Sequence, residues 1–197
     1  MSNWQDPDLK NGRGAPTHSG FGLICKVDEN GLVSVLCMDS LEQDPRTKQD
    51  TMKLQFPGGT GIAGETPLTT TTRETSAEVT VDQRALPLRR TELIHKVIKP
   101  GDVSKGGGIH TQYFFLLELE ILVSYRTFQK TETDGTLLFQ PKFLEIGEFT
   151  ESRLAKKTHK EAAANLLHHL AETHHLSPQI KGSYGEVLER FPKIMFF

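Results

Sequence analysis

The stretch LQFPGGTGIAGETPLTTTTRETSAEV, residues 54–79, decides the fold because it joins a strand-like run to a helix-like segment through a glycine-rich loop. The apolar run ends at Pro57, since proline cannot donate a hydrogen bond to a sheet ladder. Thr66 is a favourable N-cap residue, and Pro67 suits the first helical position. The sequence therefore predicts a helix that begins at Pro67 and continues to about Val79.

Glu74 and Glu78 are four residues apart in this predicted helix, so their side chains lie one above the other. Two carboxylates at that spacing repel by about 0.2–0.5 kcal/mol on a bare helix. A hard divalent cation would relieve the repulsion, and Mg²⁺ prefers carboxylate oxygens, keeps several waters and bridges readily to phosphates. The turn at Gly58 and Gly59 and the loop to Glu65 bring backbone groups and a third carboxylate to the same end of the helix. Together these residues predict a site for Mg²⁺ and a polyphosphate.

The rest of the chain predicts strands and helices that alternate without a repeat. Two apolar runs, 21–27 and 32–38, flank a turn and predict a β-hairpin in which Gly31 has a positive φ. Further strands are expected at 52–56, 93–99 and 112–125, and the clearest helix at 160–175. This alternation favours an α/β fold in which helices cover the faces of a sheet.

The predicted helix at 67–79 is expected to pack on that sheet through one narrow stripe of side chains. The members of the stripe are Leu68, Thr72, Thr75 and Val79. The two threonines would turn their methyl groups to the sheet, and the pair of glutamates would lie about a quarter turn away.

The chain has 197 residues and a formal net charge of −2, with both signs dispersed along it. Residues 1–18 are polar and turn-rich and are expected to form a flexible arm, and residues 19–197 are expected to form a single domain. The charge pattern predicts no nucleic-acid partner and no membrane partner. Cys25 and Cys37 lie in two adjacent predicted strands and are expected to be apolar core thiols, with a disulfide as the alternative. The polar N-terminal segment predicts a cytoplasmic protein.

Five residues of the opening stretch stand at fixed intervals: Gly59, Glu65, Arg73, Glu74 and Glu78. Their spacing resembles the Nudix box, G-x5-E-x7-R-E-U-x-E-E-x-G-U with U a bulky apolar residue, at residues 59–81. The preceding Pro57-Gly58 and the helix-opening Thr66-Pro67 also look like the family. The resemblance covers roughly residues 20–175 and implies a Nudix-type α/β/α sandwich with a mixed β-sheet between helices.

The resemblance also implies an activity, the Mg²⁺-dependent hydrolysis of a pyrophosphate bond in a nucleoside diphosphate linked to another group X. Mn²⁺ would be a substitute cation, and the substrate a small-molecule nucleotide. Glu74 and Glu78 would hold the metal, and Arg73 would orient a glutamate through an ion pair. Gly58, Gly59 and Glu65 would complete the metal and diphosphate site.

A late glutamate often serves this family as a metal ligand or base, and the segment FLEIGEFTESRL, residues 143–154, resembles the family's late glutamate-rich segment. It contains Glu145 and Glu148, of which we favour Glu145. Alternatively, these glutamates are solvated residues on the surface of a loop or helix. The alternative for Arg73 is that it forms only a surface ion pair, worth under about 1 kcal/mol.

Two departures from the box matter, and a milder one is Thr75 at the first U position. Ala77 stands where the family has the first glutamate of its E-E pair, which is commonly a metal ligand, and Thr80 stands where the family has a glycine. The loss of one carboxylate is expected to weaken metal binding without abolishing it. The alternative function is a Nudix-like domain that binds a nucleotide ligand with weak turnover or none. A homodimer is a possible oligomeric state.

Overall fold

A computed structural model describes residues 17–43, 47–79, 87–100, 108–119, 129–131, 137–139 and 141–194. Its strands are β1 (Thr17–Leu23), β2 (Cys25–Val27), β3 (Val33–Gln43), β4 (Asp50–Gln55), β5 (Gly58–Thr60), β6 (Leu88–Pro100), β7 (Ile109–Leu119), β8 (Gln129–Thr131), β9 (Leu137–Phe139) and β10 (Lys142–Glu145). Its helices are α1 (Pro67–Val79), α2 (Ile146–Glu151), α3 (Lys157–Thr173) and α4 (Ser177–Arg190).

The strands form two sheets. The first has the order β5-β1-β7-β6, in which β1 and β7 run parallel and the other neighbours run antiparallel. The second is built around β3, which pairs with β2, β4, β9 and β10. Only Ile24 separates β1 from β2, so the chain passes from one sheet to the other at that residue.

The two faces of the first sheet pack against different helices. Alternate β1 residues point to opposite faces, so Gly20 lies against α1, whereas Phe21 stacks on Phe114 and meets the α3 residue His159. The α3 face carries one buried cluster, and the α1 face carries a second cluster that includes Val79. The predicted α/β architecture, with a mixed sheet between helices, is confirmed.

The α1 helix approaches β1 closely because two β1 residues are glycines. A Cβ on Gly20 would lie 2.2 Å from the Thr71 hydroxyl oxygen, and a Cβ on Gly22 would lie 2.5 Å from the Thr75 hydroxyl oxygen. The threonine side chains therefore occupy space that any larger strand residue would fill. This contact fixes the position of α1 over the sheet.

The predicted limits of α1 are confirmed, and its predicted stripe is wrong in one member. The helix runs from Pro67 to Val79, and Thr66 Oγ1 accepts a hydrogen bond from the Thr69 N–H at 3.1 Å. Thr71, and not Thr72, faces the sheet with Thr75, because these two residues fit the glycine gaps of β1. The Thr72 hydroxyl instead bonds back to the Thr69 carbonyl.

The predicted hairpin forms between β2 and β3, and Gly31 in its turn has a φ of 80°. The strand expected at 21–27 is divided at Ile24 into β1 and β2, because the chain changes sheets there. β1 begins at Thr17, so the last two residues of the predicted arm are in a strand, and residues 1–16 lie outside the described residues. Likewise the strand expected at 112–125 is described only as far as Leu119.

Both cysteines are free thiols, with Cys37 buried and Cys25 partly buried. Burial raises the pKa of each thiol to about 12, which keeps both protonated at neutral pH. Within the described ranges, no helix has both the length and the apolar character that a membrane crossing requires.

Candidate metal centre

Glu78 is a buried carboxylate, with only 4% of its surface exposed, and it lies where α1 meets the short edge strand β5. Its Oε2 accepts a hydrogen bond from the Gly58 N–H at 2.8 Å. Gly58 has a φ of 147°, and a Cβ there would lie 2.2 Å from the Gly20 carbonyl oxygen. Only glycine fits this position, so the turn after Pro57 directs a backbone N–H at the Glu78 carboxylate.

Glu74, one turn earlier on α1, lies against the next residue of β5. A Cβ on Gly59 would be 2.8 Å from the Glu74 Cδ atom and 3.0 Å from its Oε2. The absence of a side chain at Gly59 therefore leaves the space that the Glu74 carboxylate occupies. The glycine pair and the glutamate pair predicted from the sequence come together at this edge of the sheet.

Arg73 bridges the loop and the helix. Its guanidinium donates two hydrogen bonds to Glu65, from Nε to Oε1 at 2.6 Å and from Nη2 to Oε2 at 2.9 Å. It also donates to Glu74 Oε1 at 2.5 Å and to the Thr60 carbonyl oxygen at 3.3 Å. Charge-assisted bonds of this fork geometry are the stronger hydrogen bonds in proteins, so Arg73 fixes Glu74 relative to the loop.

Glu65 receives two further hydrogen bonds, from the Ile62 N–H at 3.2 Å and from the Thr70 hydroxyl at 2.8 Å. The Arg73 guanidinium is the main cause that lowers the pKa of the Glu65 carboxyl to about 2, although burial acts in the opposite direction. Glu65 in turn raises the pKa of Arg73. Both groups are therefore charged across the physiological range, and the donors around Glu65 occupy both of its oxygens.

The arrangement has three carboxylates and one guanidinium, so negative charge exceeds positive charge around Glu74 and Glu78. In the part of the chain that the structure describes, no group of three or more His, Cys, Asp or Glu side chains is placed to hold a metal ion. Mg²⁺ is commonly bound through one or two carboxylates and keeps several waters. The pair of Glu74 and Glu78 fits that requirement, with the other positions left to water and phosphate oxygens.

The first departure from the box lies beside this pair. Ala77 is half-buried on α1, next to Glu78, and its methyl group offers no ligand. The second departure, Thr80, lies outside the described residues.

Glu145 is engaged in a different network. Its carboxylate caps α2 by accepting hydrogen bonds from the Gly147 and Glu148 N–H groups, both at 2.9 Å, and it accepts a third from the Tyr184 hydroxyl at 2.5 Å. None of these described contacts joins Glu145 to Arg73, whereas Arg73 contacts both Glu65 and Glu74 directly. Glu148 is exposed. The role of Glu145 as ligand or base stays a prediction.

Sequence reasoning missed two residues that contact this network, Thr70 and His18. The Thr70 hydroxyl touches Glu65, and the His18 ring touches Thr70 from β1. Thr70 is one of four consecutive threonines that the sequence does not distinguish, and His18 falls in the segment predicted to be a flexible arm. No local signal connects two residues that are 52 positions apart.

No protein-family model matches the sequence, and a search of curated proteins also finds no match. Solved structures do match. The chain is similar to a Nudix hydrolase from Nitrosomonas europaea, at 16% identity and a TM-score of 0.52, over 77% of this chain and 88% of that one. It is also similar to a MutT Nudix hydrolase from Burkholderia pseudomallei, at 16% identity and a TM-score of 0.51, over 77% and 98% of the two chains.

A MutT protein from Methanosarcina mazei Go1 is a third such structure, at 12% identity and a TM-score of 0.50, over 78% of this chain and 94% of that one. At these identities the likeness concerns the fold. The chain has the Nudix fold, as the resemblance of residues 59–81 to the Nudix box predicts.

Proposed function

We propose that this chain hydrolyses a pyrophosphate bond in a small nucleoside diphosphate linked to another group X, with Mg²⁺ as the cation and Mn²⁺ as a substitute. One observation carries the proposal. Glu74 and Glu78 converge on the β5 backbone, where Arg73 holds one carboxylate and the Gly58 N–H holds the other. Two carboxylates fixed one helical turn apart on a Nudix fold are suited to a hard divalent cation.

When held by Glu74 and Glu78, Mg²⁺ would neutralise charge on the diphosphate and make the attacking water more acidic. The protein's own groups set up this site beforehand. The Arg73 guanidinium donates its hydrogen bonds to Glu65, Glu74 and the Thr60 carbonyl. We therefore assign Arg73 to positioning the Glu74 carboxylate and not to binding phosphate. Preorganisation of this kind avoids a reorganisation cost during the reaction.

The attacking water also needs a proton acceptor. The resemblance favours Glu145, and a carboxylate of this kind can act as a general base. In the structure its oxygens accept from two backbone N–H groups and from Tyr184. Two of these donors bond to Oε1 and one to Oε2, so Oε2 keeps a lone pair that could accept the proton.

The alternative is a nucleotide-binding domain with weak turnover or none. Ala77 is the specific observation in its favour, because the position beside Glu78 supplies no third carboxylate. The role of Glu145 as the cap of α2 is a second observation in its favour, because it gives that carboxylate a structural function. Under this alternative the Glu74 and Glu78 pair would bind a metal and nucleotide complex without hydrolysing it.

An assay of product release separates the two functions. Purified protein is incubated with nucleoside diphosphate sugars, dinucleoside polyphosphates and nucleoside triphosphates, each with Mg²⁺, with Mn²⁺ and with chelator. Hydrolysis requires turnover that depends on the cation and that Glu78→Gln abolishes. Nucleotide binding in calorimetry without cation-dependent turnover across the panel supports the binding domain instead.

A further inference from the structure

His18 and Thr70 connect the strand β1 to the site through buried hydrogen bonds. The His18 Nε2 atom lies 2.8 Å from the Thr70 hydroxyl oxygen, and that oxygen lies 2.8 Å from Glu65 Oε2. Thr70 is fully buried and His18 is only 8% exposed. Water therefore has little access to either contact, and the partners must satisfy each other.

The donor and the acceptor in each of these two hydrogen bonds follow from the number of hydrogens that Glu65, Thr70 and His18 carry. Glu65 is ionised, because its pKa is about 2, and an ionised carboxylate only accepts. The single hydroxyl hydrogen of Thr70 is therefore donated to Glu65, so toward His18 the Thr70 oxygen can only accept. His18 must then carry a hydrogen on Nε2. Burial lowers the pKa of His18, which favours the neutral ring, and the hydrogen bond to Thr70 then places the ring hydrogen on Nε2.

The His18 ring is fixed in the direction that this donation needs. A Cβ on Gly61 would lie 2.2 Å from the His18 Nε2 atom, so the ring fills the space beside that glycine. The Tyr113 ring lies edge-on to it, with 6.3 Å between centroids. A backbone hydrogen bond also connects the two residues, because the Gly61 N–H donates to the His18 carbonyl oxygen at 2.8 Å.

We propose that His18 and Thr70 are positioning residues for the candidate metal centre. His18 orients the Thr70 hydroxyl, Thr70 and Arg73 hold Glu65, and Arg73 holds Glu74, which faces the cation. This inference rests on the proposed function, because it concerns the same pair of carboxylates. It adds a chain of contacts that couples the first strand of the fold to cation binding.

Two matched pairs of variants test the donor and the hydroxyl separately. His18→Gln keeps an N–H donor three bonds from Cβ, as in histidine, whereas His18→Met has a similar length and no donor. Thr70→Ser keeps the hydroxyl, and Thr70→Val removes it with little change in shape. Thr72→Val is the control, because it makes the same change on the outer side of α1, away from Glu65.

The first readout is cation binding without substrate, measured as the stabilisation of the folded protein against MgCl₂ concentration. The second is kcat and KM with a substrate that the wild type turns over. We expect His18→Met and Thr70→Val to need about 10- to 100-fold more Mg²⁺ and to lose a similar factor in kcat, the range for residues that orient metal ligands. The KM of these two variants is expected to stay close to that of the wild type. Mg²⁺ binding and kcat should also stay close to wild type in the three other variants, which are His18→Gln, Thr70→Ser and Thr72→Val.

The double variant His18→Met with Thr70→Val should be no worse than Thr70→Val alone, since both substitutions break one chain of contacts.

Folded His18→Met and Thr70→Val proteins that bind Mg²⁺ like the wild type overturn the inference. The same conclusion holds if both members of a matched pair are impaired equally, because the effect is then one of packing. A wild type that binds Mg²⁺ without turnover contradicts the proposed hydrolase only, and the binding readout still tests His18 and Thr70. A wild type without Mg²⁺-dependent stabilisation contradicts both.

Discussion

The Arg73 guanidinium meets the Glu65 carboxylate through two hydrogen bonds of 2.6 and 2.9 Å, between residues eight positions apart. The pair closes the loop between β5 and α1, and the same guanidinium reaches Glu74 at 2.5 Å. The loop conformation and the orientation of a candidate metal ligand therefore depend on one side chain.

Acid should remove the contribution of Glu65 to stability. Arg73 lowers the pKa of the Glu65 carboxyl from 4.5 to about 2 in the folded protein. A lowered pKa stabilises the fold above the unfolded value, and that stabilisation is lost as the pH falls toward the folded value. The difference in free energy of unfolding between wild type and Glu65→Gln should be constant near neutrality and shrink between about pH 4.5 and pH 2. Urea unfolding at a series of pH values measures it, and a gap independent of pH contradicts the assignment.

Alanine at the two glycines of β5 should give opposite kinds of defect. Gly59→Ala places a Cβ 2.8 Å from the Glu74 Cδ, and the flexible glutamate can move aside, so we expect loss of cation binding with little loss of stability. Gly58→Ala places a Cβ 2.2 Å from a backbone oxygen at a φ of 147°, which should cost about 1–3 kcal/mol or more. Thermal unfolding and Mg²⁺ titration of both variants make the comparison. Normal Mg²⁺ binding by Gly59→Ala would show that the cation does not need Glu74 in its present place.

Glu145→Ala should destabilise the fold through the loss of the α2 cap. Replacement of a capping side chain by alanine typically costs about 0.5–2 kcal/mol. Tyr184→Phe should also be destabilising, by about 1–3 kcal/mol, because the Val33 N–H donates to the buried Tyr184 hydroxyl. The two losses should not add, since Tyr184 and Glu145 share a hydrogen bond.

A further variant, Glu145→Gln, separates capping from catalysis by Glu145. A general base usually contributes a factor of about 10²–10⁴ to the rate. Glu145→Gln is measured at a temperature where circular dichroism shows it folded. A kcat within a few-fold of wild type would restrict Glu145 to its capping role and remove the base that the resemblance predicts.

Ala77→Glu should strengthen cation binding at the expense of stability without metal. The new carboxylate lies next to Glu78 and three residues after Glu74, so repulsion should lower the melting temperature in chelator. With Mg²⁺ the variant should gain a larger upward shift than the wild type and reach half-maximal activity at a lower concentration. Ala77→Gln, which adds similar bulk without charge, is the control. If Ala77→Glu gains no extra stabilisation from Mg²⁺, position 77 does not face the cation.

The sequence predicted those features of the site that depend on short intervals along the chain. The helix start follows from Thr66 and Pro67, and the convergence of Glu74 and Glu78 on β5 follows from the spacing of the box and its resemblance to the Nudix family. Local patterns of this kind act within one or two helical turns, so they can be read from one sequence.

The features that the sequence did not predict depend on contacts between distant residues. Thr71 replaces Thr72 on the buried face of α1 because Gly20 and Gly22 leave gaps that only the folded sheet defines. The contact of His18 with Thr70 spans 52 positions, and the change of sheet at Ile24 depends on which partners each strand finds. Such contacts have no signature in the residues on either side of them.

The most direct test of the proposed function is the Mg²⁺-dependent turnover of Glu78→Gln, compared with Glu118→Gln as a matched control. Glutamine keeps the size of glutamate and removes its charge, and Glu118 lies on β7, paired in register with Arg90. We predict that Glu78→Gln keeps the fold by circular dichroism and loses at least about 10²-fold in kcat/KM, while Glu118→Gln stays close to wild type. Near-wild-type turnover by Glu78→Gln, or a large loss in folded Glu118→Gln, would contradict the placement of the metal centre on α1.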